Sequence, residues 1–226
     1  DVDIQDVTIP GGINAWLVEE PSIPFVALEL RFRGGTSLDA PGKRGAINLM
    51  TGLLEEGAGD LDARGFARAV EDLAASFSYD VADGALSVSV RFLNENRDEA
   101  VALLRSSLID PTFSQTALDR VRDQVLSGLR SSANDPNDIA RAQFDALIYG
   151  DHPYGSPREG TIESVCALAR EDMIAAHQAV MAKDRLYVGA AGDISAEELG
   201  LLLDALLGDL PETGAEMPPA VEANFD

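Results

Sequence analysis

A chain of 226 residues is long enough to bury a hydrophobic core without a disulfide or a structural metal. Its 39 acidic and 17 basic residues give a formal net charge of −22, and so acidic a protein repels phosphate backbones and anionic membrane surfaces. The sequence also lacks an apolar stretch of the roughly 18 residues that a membrane-spanning helix needs. We therefore expect no nucleic-acid partner and no insertion into a membrane.

Alternating apolar residues predict β-strands, most of them in the first half of the chain. Val26, Leu28 and Leu30 alternate with small or charged residues, which is the pattern of a strand with one buried face. The dipeptide Asp83-Gly84 lies between two further alternating segments and predicts a hairpin turn. Strands are predicted at 3–9, 13–19, 25–32, 77–81, 85–93 and 185–191.

Apolar residues at helical spacing fill much of the remaining chain. Asn94 and Ser114 are candidate N-caps of two of these helices, and the sequence Ser195-Ala196-Glu197-Glu198 is a capping box for the last one. Helices are predicted at 45–55, 62–75, 95–109, 115–131, 138–148 and 171–181, with a short one after Thr161. Helices mixed with antiparallel hairpins favour an α+β fold over a doubly wound parallel sheet.

The end of the chain has a different composition. Residues 211–226 contain two consecutive prolines and four acidic residues but no basic residue. This composition is typical of a linker or a tail. We therefore predict one folded domain over residues 1–210 and an acidic linker or tail, without packed structure, over residues 211–226.

Few residues in the sequence are suited to metal or acid–base chemistry. His152 and His177 are the only histidines, and their positions differ by 25. The sequence therefore has no histidine pair at one-turn spacing that could coordinate a zinc ion. Cys166 is the only cysteine, which excludes a disulfide within the chain, and we expect it to be a small buried residue on a helix. Nucleophile-elbow and phosphate-loop motifs are absent.

Several segments, in order along the chain, resemble the M16 zinc peptidases, the family of pitrilysin, insulinase and the mitochondrial processing peptidase. They are residues 32–37 (FRGGTS), 41–45 (PGKRG), 96–99 (NRDE), 152–155 (HPYG) with Gly160 and Thr161, and 188–194 (VGAAGDI). The resemblance extends from about Val2 to Pro211. It implies an M16-type α+β domain, in which helices pack against a mostly antiparallel sheet, and it suggests that the chain is the N-terminal half of a longer protein.

The resemblance also implies that the family's zinc site is degenerate. Active members carry the inverted motif His-x-x-Glu-His on the helix that follows the loop. Aligned on that helix, Asn48 and Gly52 take the places of the two histidines, and Thr51 takes the place of the glutamate. On a later helix, Gly128 takes the place of the third ligand and Val121 that of a supporting glutamate. We therefore expect no catalysis by this chain alone, no bound metal and no cofactor. The glycine at position 52, within a helix, indicates close packing or a loosened helix, or else relaxation after the loss of a ligand.

Other conspicuous residues have ordinary structural interpretations. We interpret His152 as part of a structural turn and His177 as a capped or surface residue of a helix. The acidic cluster of Glu55, Glu56, Asp60 and Asp62 lacks the ligand spacing of an EF-hand and is interpreted as a solvated turn.

Two predicted strands bear on binding. Trp16 is expected in the core, with an interface as the alternative. Because members of this family bind substrate in extended form along a sheet edge, the strand at 24–32 is of interest as such an edge, and the sequence leaves open whether that edge is free.

The leading hypothesis is a non-catalytic M16 subunit that pairs with an active homologue carrying His-x-x-Glu-His and completes a chamber that holds peptides. The alternative is a binding or assembly module that shares the fold without a peptidase partner, as in the core subunits of respiratory complexes. A third hypothesis is an independent enzyme with relocated chemistry. The sequence begins without Met, and bacterial pairs of this family are often exported, so we expect a periplasmic or otherwise exported protein.

Overall fold

The computed structural model describes residues 3–9 and 12–221. Their strands are β1 (Gln5–Thr8), β2 (Asn14–Glu19), β3 (Phe25–Arg33), β4 (Gly57–Ala58), β5 (Leu61–Asp62), β6 (Ser76–Val81), β7 (Ala85–Leu93) and β8 (Leu186–Gly192). Their helices are α1 (Ala46–Leu53), α2 (Ala63–Asp72), α3 (Arg97–Ile109), α4 (Gln115–Ser132), α5 (Pro136–Tyr149), α6 (Ile162–Cys166), α7 (Arg170–Val180) and α8 (Ala196–Leu207). None of these helices is long and apolar enough to cross a bilayer.

Six strands form one sheet in the order β1-β2-β8-β3-β7-β6. The contact between β2 and β8 is parallel, and the other neighbours are antiparallel. The predicted α+β fold with a mostly antiparallel sheet is therefore confirmed. The strand predicted at 24–32 does not provide a free edge, because β3 is hydrogen-bonded on both sides, to β8 and to β7. The edges of this sheet are β1 and β6.

The hydrophobic core lies between one face of this sheet and the helices. Leu28 and Leu30 of β3 are at most 2% exposed and pack in the same cluster as Leu49 of α1 and Leu203 of α8. The alternating residues of β3, such as Arg31, remain exposed on the opposite face. Within residues 3–9 and 12–221 the fold thus has two layers, with the helices on one face of the sheet.

Two of the three predicted helix caps are confirmed. The Ser114 hydroxyl accepts a hydrogen bond from the amide of Ala117, and Ser195 forms the predicted capping box with Glu198. The prediction for Asn94 is wrong, because a turn of 3-10 helix precedes α3. The Asn94 side chain instead donates to the backbone and side-chain oxygens of Asp193, and so ties the end of β7 to the end of β8.

The segment 211–221 has no helix or strand, but it is packed against the domain. The amide of Ala215 donates to the carbonyl of Ala179, and the guanidinium of Arg185 donates to the carbonyl of Ala215 at 2.6 Å. The amide of Lys183 donates to the carbonyl of Pro211. The expectation of a segment without packed structure is wrong here, because the turn between α7 and β8 provides partners for its backbone. Residues 222–226 lie outside the described residues.

Two of the isolated residues differ from expectation. Cys166 is exposed at the end of α6, because in this short helix Val165 is the residue turned to the core. His177 is half-buried rather than at the surface. Its Nε2 lies 2.7 Å from the carbonyl oxygen of Leu108, and its ring meets the ring of Phe113 edge-on. Burial lowers the pKa of His177, so the neutral ring donates its Nε2 proton to Leu108.

We expect the half-buried His177 to make the protein less stable in acid. Because its pKa in the folded state lies below the ordinary value, the unfolded state takes up this proton first as the pH falls. The free energy of unfolding should therefore fall below about pH 6.5, by at most about 1.4 kcal/mol per pH unit from this residue. Urea denaturation of wild type and His177→Gln across this range measures the difference, since glutamine donates the same hydrogen bond but does not titrate. Equal slopes in the two proteins would contradict the prediction.

Candidate functional site

The site begins at the start of α1, where the backbone is held by a buried carboxylate. The side chain of Asp39 accepts hydrogen bonds from the amides of Gly45 and Ile47, at 2.9 and 2.8 Å. Gly45 has a φ of +96°, and a Cβ there would lie 2.5 Å from the carbonyl oxygen of Glu159. The helix therefore starts in a fixed place relative to the loop at 157–160.

Three of the positions that the resemblance singles out lie on α1. Thr51 is buried, and its hydroxyl donates to the carbonyl of Ile47 at 2.7 Å. Asn48 is half-buried, one turn before Gly52. The hydroxyl of Thr51 is thus engaged with the backbone of its own helix.

Gly52 of α1 packs closely against Val121 of α4. A Cβ on Gly52 would lie 3.1 Å from Cγ1 of Val121, which is tighter than an ordinary van der Waals contact. Val121 is itself buried. The close approach expected as one explanation for a glycine here is therefore present, while Gly52 itself remains exposed to solvent. A glycine and a valine thus form the contact between the two helices at this point.

Gly128 lies two turns beyond Val121 on α4 and borders a cavity instead of a neighbouring helix. Nothing lies within 4 Å of the place where its Cβ would stand. The cavity has a volume of about 700 Å³ and is lined by α4, α5 and the loop at 157–159. The structure therefore brings Gly52 and Val121 together and leaves Gly128 facing open space.

These residues do not fit a zinc ion. A zinc site takes imidazole, thiolate or carboxylate ligands, whereas the two glycines have no side chain and Asn48 offers a neutral amide. The hydroxyl of Thr51 is engaged with the backbone and has too high a pKa to serve as a general base. Across residues 3–9 and 12–221, no three His, Cys, Asp or Glu side chains are grouped so that they could hold a metal.

An arginine that the sequence did not mark as important holds the loops around the site. The guanidinium of Arg44 donates to the carbonyls of Thr36, Pro153 and Ser156, at 2.6 to 2.9 Å. It also pairs with the carboxylates of Asp83 and Asp39, at 2.8 and 3.4 Å. Arg44 thereby joins the loop before α1, the hairpin turn between β6 and β7, and the loop after α5.

The structural interpretations of His152 and of the acidic turn hold. His152 Nδ1 accepts a hydrogen bond from the amide of Tyr154, and the two rings meet edge-on. In the acidic turn, Asp62 caps α2 by accepting from the amide of Gly65, and Glu56 pairs with Arg120.

Comparison with known proteins identifies the family. Residues 15–162 match the family model described as insulinase (peptidase family M16). The chain belongs to this M16 family. It is 30% identical over 206 residues to the Helicobacter pylori protein named non-peptidase homolog YmxG. The matched region covers 91% of this chain and 48% of that protein. It is also 24% identical over 212 residues to an uncharacterized zinc protease of Mycobacterium leprae. That matched region covers 94% of this chain and 48% of the other protein.

Two solved structures share the fold. A crystal structure described as a peptidase M16 inactive domain, from Pseudomonas fluorescens, matches 95% of this chain and 52% of its own chain, with a TM-score of 0.90 and 25% identity. A protease from Helicobacter pylori matches 99% of this chain and 55% of its own chain, with a TM-score of 0.83 and 16% identity. The M16 chain described here thus spans about half the length of these relatives. A non-peptidase homologue and an inactive domain among them agree with the expectation of a non-catalytic chain.

Proposed function

We propose that this chain is the non-catalytic member of an M16 pair. Its partner would be a zinc-bearing homologue that carries His-x-x-Glu-His, and together they would enclose a chamber that holds and cleaves peptides. The observation that carries the proposal is the packing of Gly52 on Val121. The core-facing residues of α1 remain buried, while the positions that the resemblance assigns to the metal ligands carry residues that cannot bind a metal.

The exposed apolar face of α5 supports a partner. None of the residues of this helix is buried, and Phe144 and Leu147 are 60% and 78% exposed. Large apolar side chains grouped on an exposed surface mark interaction sites more often than free surface. A second M16 polypeptide is the occupant that fits the proposed pair.

Two further points belong to this proposal. In a protein of the relatives' length, residues 211–226 would lead from this domain into a second half of similar size. The compartment would be the bacterial periplasm, where such pairs would meet exported peptides.

The test begins with the full-length protein, tagged and purified from its own cells, with the bound chains identified by mass spectrometry. We expect a stoichiometric partner with His-x-x-Glu-His. The reconstituted pair should cleave an unstructured peptide about tenfold faster than the partner alone, which corresponds to roughly 1.4 kcal/mol of added binding. A pair whose catalytic glutamate is changed to glutamine gives the background rate.

Two results would contradict the proposal. The first is a pair that cleaves no faster than the partner alone. The second is stoichiometric recovery with an assembly that contains no peptidase, which would instead support the binding or assembly module.

A further inference from the structure

The segment that follows α8 has two parts, which contact the domain in different ways. The first part is residues 211–215, which we term the anchor. The amides of Lys183 and Asp184 donate hydrogen bonds to the carbonyls of Pro211 and Glu212, at 2.9 and 3.1 Å. The Nζ of Lys183 also pairs with the carboxylate of Glu212 at 2.7 Å. The start of the anchor is thus bound to the turn before β8 through its backbone and one ion pair.

Arg185 is the main partner of the end of the anchor. Its side chain is only 4% exposed, and the carboxylate of Asp184 accepts from its Nε at 2.9 Å. The remaining nitrogens of the guanidinium donate to the carbonyls of Ala179 and Ala215, at 3.2 and 2.6 Å. The amide of Ala215 donates in turn to the carbonyl of Ala179 at 2.9 Å. Because a buried guanidinium that loses its acceptors is costly, the anchor cannot leave Arg185 without a penalty.

A glycine permits this close approach. A Cβ on Gly214 would lie 2.5 Å from the carbonyl oxygen of Ala179 and 2.8 Å from Cζ of Arg185. Both distances are shorter than a carbon atom allows, so any other residue at this position would move the anchor away from Arg185. The sequence of the anchor is therefore fitted to this contact.

The second part of the segment, residues 216–221, is held much more weakly, and we term it the latch. Among residues 3–9 and 12–221, no backbone amide after that of Ala215 donates a hydrogen bond. The carbonyl oxygen of Pro219 lies 3.3 Å from Nε2 of His152, and Sδ of Met217 lies 3.9 Å from the guanidinium of Arg185. Segments with so few hydrogen bonds open at a low cost in free energy.

Cavities also separate the latch from the domain. A cavity of about 420 Å³ is bordered by Pro218 of the latch and by Ser37. A second cavity, of about 350 Å³, is bordered by Met217 and Pro219 and again by Ser37. Close-packed contacts are therefore missing beneath much of the latch. The latch can lift without disturbing the hydrophobic core, whereas the anchor cannot.

We infer that this segment is a two-part linker whose anchor stays fixed to the domain while its latch moves. Arg185 is a positioning residue that determines where the linker leaves the domain. The inference rests on the proposed function in one respect, namely that a second half of the protein follows the linker. Movement of that half relative to this domain then takes place about residues 216–221, beside the loops that Arg44 holds.

Limited proteolysis of the full-length protein, with an endoproteinase specific for glutamate, tests the two parts. Glu212 lies in the anchor and Glu216 in the latch. A synthetic peptide of residues 208–226 gives the intrinsic rate at each glutamate, and mass spectrometry measures the initial rates of both cuts. Relative to that peptide, cleavage after Glu212 should be slowed at least about tenfold more than cleavage after Glu216.

Two variants release the anchor. Gly214→Ala forces it away from Arg185, and Arg185→Met removes its donors. Each should speed cleavage after Glu212 about tenfold or more and change cleavage after Glu216 little. The matched control is Gly200→Ala in α8, which should leave both rates unchanged because nothing lies within 4 Å of the place of its Cβ.

A second measurement reports on the position of the second half. Small-angle X-ray scattering of the full-length Gly214→Ala protein should show a larger radius of gyration than that of the Gly200→Ala protein, because the released anchor lengthens the moving part of the linker. Circular dichroism verifies that each variant is folded, so a change in the overall dimensions is not confused with unfolding.

Two results would overturn the inference: equal protection of Glu212 and Glu216 in the wild type, or unaltered protection of Glu212 in folded Gly214→Ala protein. These results are separable from failure of the proposed pair. Recovery of the full-length protein without an M16 partner, with the expected pattern of cuts, would contradict the pairing alone. Peptide cleavage by the pair, with equal protection of the two glutamates, would contradict the two-part linker alone.

Discussion

Replacing Arg44 with alanine is expected to lower the free energy of unfolding by about 3–5 kcal/mol, the usual cost of removing one partner of a buried ion pair. The Arg44 side chain is 16% exposed and that of Asp39 is 4% exposed. Without Arg44, the Asp39 carboxylate stays buried with only backbone amides to stabilise its charge. Three carbonyl oxygens, those of Thr36, Pro153 and Ser156, lose their donor at the same time.

Urea denaturation at neutral pH measures this loss, and Arg158→Ala is the matched control. Arg158 also pairs with a carboxylate, that of Glu159, but both side chains are more than 40% exposed, so its removal should cost less than about 1 kcal/mol. Burial is the main influence on the pKa of Asp39 and raises it. The cost of Arg44→Ala should therefore shrink in acid, where Asp39 becomes neutral. Similar losses for the two arginine variants would contradict the assigned role of Arg44.

The fold could largely be predicted because its strands and helices are encoded locally. In β3 the alternation of Val26, Leu28 and Leu30 with polar residues depends on the burial of one face only, and the pairing of that strand with two neighbours does not change the pattern. The position of β3 within the sheet could not be predicted in the same way. Strand order depends on contacts between distant segments, and only the structure shows that the strand at 24–32 is a central one.

Trp16 shows where local patterning misleads. The alternation in β2 places Ala15 and Leu17 on one face and Trp16 on the other, and the structure confirms this alternation. Hydrophobicity suggested that the tryptophan was buried. Only the assembled fold shows that the helices pack on one face of the sheet, and Trp16 lies on the opposite face.

The site shows the same division between local and distant signals. The glycine at position 52 was recognisable as unusual in a helix, but the residue that packs on it, Val121, lies on another helix. The hydrogen-bonding role of Arg44 has no local signal, because Pro153 and Ser156 lie more than a hundred residues further along the chain. Contacts of this kind depend on tertiary structure alone.

Restoring the family's zinc ligands is expected to give the isolated chain a metal site that the wild type lacks. The rebuilt variant combines Asn48→His, Thr51→Glu, Gly52→His and Gly128→Glu. Two histidines one turn apart and a carboxylate from the adjacent helix are an ordinary zinc ligand set. At free zinc of about a hundred times the Kd, binding should raise the free energy of unfolding by about 2.7 kcal/mol. Isothermal titration calorimetry and zinc-dependent melting measure the effect.

The contact between position 52 and Val121 affects zinc binding by the rebuilt variant. A histidine at position 52 brings its Cβ within 3.1 Å of Cγ1 of Val121, so the helices must separate slightly before the ligands can meet. Adding Val121→Ala removes that methyl group and should tighten zinc binding relative to the rebuilt variant, whereas wild type with Val121→Ala alone should bind no zinc. The control for the number of ligands is a rebuilt variant that carries Asn48→Ala instead of Asn48→His. If the folded variants bind no zinc with or without Val121→Ala, then positions 48, 52 and 128 do not correspond to the family's ligands, and the argument from their replacement fails.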